Sequence, residues 1–113
     1  MFCSTKEFDK RWERLGLGDE DRRRLEGAIT ENPKIGSVIR GTGGLRKMRF
    51  AFEGQGKRGS TRVLYVDLIV RDLVYLIGVY AKNEQETLSD EQKQMLKAVV
   101  DIIKRESEGN FNE

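Results

Sequence analysis

Four cationic side chains in the second half of the chain have the types and spacing that phosphate chemistry requires. Lys47 and Arg49 are two residues apart, so on a strand they would share one face. Arg62 opens the next apolar run, and Lys82 follows the last one, close to Tyr80. Adjacent antiparallel strands bring such side chains within about 5 Å of each other. Arginine donates paired hydrogen bonds to phosphate oxygens and stabilises the charge that develops in a transition state.

A cationic cluster of this kind needs little else to cleave RNA. The ribose 2′-hydroxyl can attack its own 3′-phosphate when the geometry is in line. A base must take the hydroxyl proton, and an acid must protonate the leaving 5′-oxygen. A lysine crowded by other cations loses its proton more readily, so Lys47 and Lys82 are both candidates for the base. The alternative is that these cations are solvated surface charges, or bind a partner without catalysis.

The cations belong to a basic, glycine-rich segment, residues 34–62. It holds eight lysines and arginines against one acid, Glu53, a net charge of +7 where the whole chain carries +2. It also holds seven of the twelve glycines. Such a segment in an otherwise acidic chain favours a surface for a polyanion, most simply nucleic acid. A solvated basic loop is the simpler alternative.

The composition excludes several classes of protein. The 113 residues are expected to form one domain, 1–113, and contain no histidine. This excludes Ser-His-Asp and Cys-His catalysis and makes a Cys/His zinc site implausible. The lone Cys3 forms no internal disulfide and is expected to be a small apolar strand residue. With no apolar run of about 20 residues and no signal-peptide pattern, the expected location is the cytoplasm.

The hydrophobic pattern predicts two helices near the N-terminus, after a short strand over residues 1–4. Ser4 and Glu7 have the spacing of a capping box for the first helix. Asp19 is the expected N-cap of a second helix, which ends at Asn32 because the residue before Pro33 is pushed out of the helical region. The two helices are expected to form a hairpin.

Three strands and a final helix follow. Residues 45–52 alternate between apolar and basic, and residues 61–70 and 73–80 are β-branched and aromatic runs. A capping box at Ser89 opens the last helix, and the tail from Glu106 is expected to fray. The predicted class is α+β in the order β-α-α-β-β-β-α. The helical hairpin would pack on one face of an antiparallel sheet, leaving the other face free to carry charge.

The chain resembles the RelE/HigB toxins of bacterial type II toxin–antitoxin modules, most closely the HigB-like branch. The resemblance runs from Phe2 to about Ile103 and rests on Asn32-Pro33 followed by GTGGLRKMRFAF, GKRGSTRVLY and YAKNEQETLS. It implies a RelE/ParE-like fold. It also implies an endoribonuclease that cleaves mRNA in the ribosomal A site and inhibits translation, without a metal or other cofactor.

The resemblance also implies roles for particular residues. The catalytic candidates are Lys47, Arg49, Arg62 and Lys82. The candidates for RNA contact are Arg46, which has the opposite strand parity to Lys47, together with Lys57, Arg58 and Tyr80. Some relatives carry a functional tyrosine where this chain has Leu88, so Tyr80 or Tyr65 would have to substitute. Residues 22–24, three consecutive arginines, are expected to form a solvated helical face, and Trp12 is expected to be core.

The implied partners are a cognate antitoxin, expected to be HigA-like with a helix-turn-helix domain, the 70S ribosome and its mRNA. Operator DNA would be bound only through the antitoxin complex, and no membrane is involved. Two alternatives stay open: a ParE-like toxin of the same fold that inhibits DNA gyrase without cutting, and an RNA- or partner-binding module without catalysis.

Overall fold

The computed structural model describes residues 1–51, 60–68, 71–81 and 87–112. Within these residues five strands form one sheet in the order β1-β5-β4-β3-β2. The strands are antiparallel except for β1, which pairs parallel with β5. The elements are β1 Phe2–Ser4, α1 Lys6–Arg14, α2 Asp19–Glu31, β2 Ser37–Val38, β3 Leu45–Ala51, β4 Ser60–Leu68, β5 Leu73–Ala81 and α3 Asp90–Asn112.

The α+β class is confirmed, and the observed order adds one element to the prediction. The added strand, β2, is only two residues long, too short to leave a period-two pattern. It lies at the edge of the sheet, where Ser37 pairs with Lys47. At the other end of the chain, α3 continues to Asn112, so the predicted tail from Glu106 is helical in the structure.

The first helix begins one residue later than the predicted capping box. Thr5 is the N-cap, and its Oγ1 accepts a hydrogen bond of 3.0 Å from the backbone N–H of Phe8. Ser4 still belongs to β1, where it pairs with Leu76, and its hydroxyl donates to Asp9 at 2.8 Å. The helix cannot start while the chain remains bonded to the sheet, so the predicted cap at Ser4 is wrong.

Of the predicted caps of the other two helices, one is wrong and one is confirmed. Gly18, not Asp19, precedes α2, and its N–H donates to the Asp21 carboxylate at 3.0 Å. The predicted N-cap at Asp19 is therefore wrong by one residue. The box at Ser89 is confirmed: its hydroxyl accepts from the N–H of Gln92 at 3.2 Å, and the Gln92 side chain accepts from the N–H of Ser89 at 2.9 Å. The predicted stop before Pro33 also holds, since α2 ends at Glu31.

The core lies in two layers, one on each face of the sheet. On one face α1 and α2 pack against alternate residues of β3, β4 and β5; this cluster comprises Phe8, Trp12, Leu17, Leu25, Ile29, Met48, Val63, Tyr65, Leu76 and Val79. On the other face α3 covers the remaining alternates; this cluster comprises Leu45, Leu64, Val66, Ile77, Tyr80, Leu88, Val100 and Ile103.

The expectation that one face of the sheet is free is therefore wrong. Residues 63–66 of β4 are all buried, two on each face. A strand that is apolar on both faces must be covered on both, and α3 supplies the second cover. Only the part of this face that α3 leaves uncovered can present charge. No helix within the described residues is long and apolar enough to cross a membrane.

Candidate functional site

Three of the predicted site residues lie in one row across three strands. Arg49 of β3 is the register partner of Arg62 of β4, which is in turn the partner of Tyr80 of β5. Adjacent strands are about 4.8 Å apart, so the row spans about 10 Å. Lys47 lies two residues before Arg49 on the same face, opposite Leu64. The structure thus brings Lys47, Arg49, Arg62 and Tyr80 together on the face that α3 partly covers; we call these four residues the cation row.

The members of the cation row differ in exposure. Arg62 is only 2% exposed and Tyr80 only 6%, whereas Arg49 is exposed and Lys47 is half-buried. Burial holds the Arg62 guanidinium in surroundings of low polarity, where its attraction to an anion is stronger than in water. Among the described residues, neither Lys47 nor Arg49 pairs with an acid. The row therefore combines a fixed inner cation with two outer cations that can reach an anion.

Three predicted residues fall outside the described residues. Lys57 and Arg58 belong to the segment between β3 and β4, and Lys82 follows Ala81 at the end of β5. Their assigned roles stay predictions.

Arg46 is not part of the cation row. Its side chain lies on the α1/α2 side of the sheet, the side of Met48, and donates to the carbonyl oxygen of Gly36 at 2.6 Å. This placement follows from its parity, because a strand directs successive side chains to opposite faces. Arg46 supports the entry to β2 instead of facing the same surface as Lys47.

Tyr65, one candidate for the acid–base partner, also lies on the opposite face. It is fully buried; its hydroxyl donates to the carbonyl oxygen of Pro33 at 2.8 Å and accepts from the N–H of Gly36 at 3.0 Å. Burial raises the pKa of Tyr65 above its ordinary value, against the opposing effect of the Gly36 hydrogen bond. The side chain holds the segment before β2 by these two hydrogen bonds, and it lies on the opposite face of the sheet from the cation row. Leu88 packs in the same apolar cluster as Tyr80, which leaves Tyr80 as the tyrosine of the row.

The three arginines of α2 are not uniformly solvated. Arg22 donates to Asp9 at 3.1 Å and to Glu26 at 3.2 Å, and its guanidinium lies 5.3 Å from the centre of the Phe8 ring. It therefore ties α2 to α1, and its placement on a solvated face is wrong. Arg23 is on such a face: it is 77% exposed and pairs with Glu20.

Arg24 is exposed, as expected, and its guanidinium also lies 5.6 Å from the centre of the Phe50 ring. Trp12 is buried, as predicted for core, and its Nε1–H donates to the carbonyl oxygen of Gly18 at 3.2 Å.

The cation row has the charge and geometry to bind a phosphodiester. The charges of Arg49 and Lys47 face the same side of the sheet, and the buried Arg62 lies between Arg49 and Tyr80 in register, so phosphate oxygens would meet several cations there. Within the described residues no group of three or more His, Cys, Asp or Glu side chains could hold a metal ion. The chemistry available to these residues is charge stabilisation and proton transfer.

The fold and the cation row together define a small α+β protein with a mixed sheet, helices on both faces and a cationic surface suited to phosphate. Comparison with known families identifies the family to which a protein of this fold and surface belongs. Residues 3–113 match the model of the family described as the RelE toxin of the RelE/RelB toxin–antitoxin system. The chain belongs to this family.

Two solved structures are similar to the chain. The free E. coli toxin RelE, as an arginine double mutant, has 20% sequence identity and a TM-score of 0.53, covering 76% of this chain and 86% of that one. The intact E. coli RelBE toxin–antitoxin complex matches at 20% identity and a TM-score of 0.49, covering 70% of this chain and 92% of that one. The likeness to the free toxin confirms a RelE-like fold.

Proposed function

We propose that the protein is a toxin that cleaves mRNA in the A site of the ribosome and so inhibits translation. The observation that carries the proposal is the cation row, in which Arg49, Arg62 and Tyr80 share one register line on three adjacent strands. Membership of the RelE toxin family supports the same activity.

The proposed reaction is an internal transesterification. The ribose 2′-oxygen attacks the adjacent phosphorus and loses its proton to a base, while the bond to the 5′-oxygen breaks and that oxygen receives a proton. The products are a 2′,3′-cyclic phosphate and a 5′-hydroxyl, so no other reactant is consumed. In-line placement of the three atoms removes much of the entropic barrier. Binding to the ribosome would supply this placement.

Each side chain of the row has a proposed task. Arg62 and Arg49 neutralise the charge that builds on the non-bridging oxygens, and donors of this kind contribute about 10²- to 10³-fold each in other enzymes. Among the described residues, Lys47 is the candidate for the base. Lys82 lies outside them and is a second candidate on sequence grounds. Tyr80 is the candidate that protonates the leaving 5′-oxygen, because it is the register partner of Arg62 on the adjacent strand.

The proposal includes a partner. The family description names a toxin–antitoxin system, and we infer a cognate antitoxin, HigA-like with a helix-turn-helix domain, that blocks access to the ribosome. The basic segment around the cation row would attract an acidic antitoxin segment. Operator DNA would be contacted through the complex, and the site of action would be the cytoplasm.

The test is cell-free translation with purified protein, followed by mapping of mRNA 5′ and 3′ ends. We expect cuts within codons on translated message, none on naked RNA, and none with Arg62→Ala. Arg23→Ala is the matched control, because Arg23 is an exposed arginine on the far side of the sheet. Intact message with unimpaired translation would overturn the proposal, and a DNA gyrase supercoiling assay would then examine the ParE-like alternative.

A further inference from the structure

A second group of cations lies on α3, next to the glycine-rich loop that leads into β3. Lys97 pairs with Asp101 at 2.9 Å, and Lys104 donates to the carbonyl oxygen of Gly43 at 2.5 Å. Arg105 follows on the same helix and is exposed. We call Lys97, Lys104, Arg105 and Asp101 the α3 cluster. It is separate from the cation row and has no part in the proposed cleavage.

The electrostatics of the α3 cluster are dominated by positive charge. The pKa of Asp101 is lowered from its ordinary value by the hydrogen bond from Lys97 and by the charges of Lys97, Lys104 and Arg105. One carboxylate thus lies among three cations and offsets only one of them. The positive charge that Asp101 does not offset is available to an external anion.

The loop backbone is fitted against the cluster by two glycines. Gly43 and Gly44 have φ angles of +76° and +112°, which favour glycine. A Cβ on Gly43 would lie 3.5 Å from a carboxylate oxygen of Asp101, and one on Gly44 would lie 3.5 Å from Nζ of Lys104. The loop backbone therefore lies within van der Waals range of the α3 cluster, and the hydrogen bond from Lys104 to Gly43 ties α3 to the loop before β3.

The α3 cluster and the cation row lie on the same side of the sheet. Leu45, which follows the glycines, packs in the cluster that α3 covers, and Lys47 has the same parity. At about 3.4 Å per residue, Lys47 is about 10 Å along β3 from Gly44. This is close to the Debye length of about 8 Å in physiological salt. One polyanion crossing this face would therefore be attracted by both groups.

We propose that the α3 cluster is a second phosphate-binding subsite, which holds the RNA backbone on the side of Lys47 away from the scissile phosphate. This inference rests on the proposed function, since it extends the same RNA-binding face. Asp101 keeps Lys97 in position and, as a negative charge at the subsite, weakens RNA binding. Removing the carboxylate and removing the lysine should therefore have opposite effects on affinity.

The test is a salt titration of RNA binding with two variants, Lys97→Gln and Asp101→Asn. The probe is a single-stranded 12-nucleotide RNA with 2′-O-methyl riboses, which cannot be cleaved by 2′-attack, and binding is followed by fluorescence anisotropy between 50 and 200 mM salt. We expect Lys97→Gln to weaken binding about two- to fivefold and Asp101→Asn to strengthen it by a similar factor. The slope of log affinity against log salt should fall by about 0.7 for Lys97→Gln, the loss of one contact to single-stranded nucleic acid.

The control variant is Lys10→Gln, because Lys10 is an exposed lysine on α1; it should leave affinity and slope unchanged. Unaltered RNA affinity in both test variants, or absence of binding by the parent protein, would overturn the subsite. So would an effect confined to binding of an acidic antitoxin peptide, which would make the cluster a protein interface. If translated mRNA stays intact while the two variants still shift RNA affinity in opposite directions, the nuclease proposal fails and the subsite stands.

Discussion

The two faces of the sheet use the same residue types in different ways. On the α1/α2 face the arginines are engaged by the protein: Arg22 joins two acids on two helices, and Arg46 holds the Gly36 carbonyl oxygen. On the α3 face Lys47 and Arg49 form no ion pair with any described acid, and Arg62 is buried beside them. On strand β3, engagement by the protein's own acceptors, and not charge alone, separates the structural cation Arg46 from Lys47 and Arg49.

The contrast is sharpest along β3, where it arises from strand parity. Arg46 and Lys47 are neighbours in sequence, yet they lie on opposite faces. The net charge of residues 34–62 is therefore a poor guide to which cations are available to a ligand. The face of the sheet on which a cation lies is a better guide. Substituting cations on both faces tests this.

The largest effect is expected from a conservative change in the cation row. Arg62→Lys keeps the charge but loses the planar fork of donors, so we expect mRNA cleavage during translation to fall by at least about 100-fold. Arg49→Lys, at an exposed position on the same row, should cost less than about tenfold. Cleavage rates on translated message at equal toxin concentration measure both.

The comparison requires that both variants fold. In circular dichroism melts, the melting temperature of Arg49→Lys should be close to that of the parent protein. If Arg62→Lys is partly unfolded, its cleavage rate is divided by its folded fraction. Equal rates for the two variants would contradict the distinction between an inner, fixed cation and an outer one.

The next effect belongs to the opposite face and concerns stability. Tyr65→Phe removes the hydroxyl that donates to Pro33 and accepts from Gly36, and so leaves a buried N–H without its acceptor. We expect the free energy of unfolding to fall by about 1–3 kcal/mol, measured by urea denaturation. Cleavage per folded molecule should be unchanged. A loss of cleavage in excess of the loss of folded protein would return Tyr65 to the candidates for acid–base catalysis.

A smaller effect is expected for Arg46, predicted from sequence to contact RNA. Arg46→Gln removes the hydrogen bond to the Gly36 carbonyl oxygen, and we expect a loss of about 1 kcal/mol in stability. RNA affinity and its dependence on salt should match the parent protein. A reduced salt slope would show that the side chain leaves Gly36 to bind RNA, and the separation of the two faces would fail.

Much of this arrangement could be predicted from sequence because it depends on local rules. The parity of Lys47 and Arg49, the capping box at Ser89 and the stop before Pro33 each depend on a few neighbouring residues. The cover of α3 over the sheet was also signalled, since a strand with four consecutive buried residues, 63–66, requires packing on both sides. In the sequence, the signal is the run of four apolar residues at positions 63–66.

Other features depend on contacts between distant parts of the chain. Thr5 and not Ser4 caps α1 because Ser4 pairs with Leu76, 72 residues away. The hold of Tyr65 on Pro33 and the contact of Lys104 with Gly43 join segments separated by 32 and 61 residues. No local pattern carries such information. For the same reason the α3 cluster could not be found from spacing, although Lys97 and Asp101 have the i, i+4 separation of a helical ion pair.

The smallest predicted effect contrasts two carboxylates by pH. Burial raises the pKa of Asp67, on the α1/α2 side, more than the nearby charges of Arg46 and Lys34 lower it. A raised pKa contributes stability below the ordinary carboxyl pKa, and this contribution is lost as pH rises through the folded-state value. Asp67→Asn should therefore be slightly more stable than the parent at pH 7, with the difference vanishing towards pH 3. The pKa of Asp101 is lowered, so Asp101→Asn should be slightly less stable at pH 7, and that difference should also close as pH falls.

Urea denaturation of both variants at pH 7 and pH 3 makes the comparison. The opposite signs at pH 7 follow from the two environments: Asp67 is partly desolvated, whereas Asp101 is an exposed carboxylate among three cations. If both variants shift stability in the same direction, helix or strand propensity of asparagine outweighs the electrostatic difference. The contrast would then have to be sought in RNA affinity, where only Asp101 lies on the cationic side of the sheet.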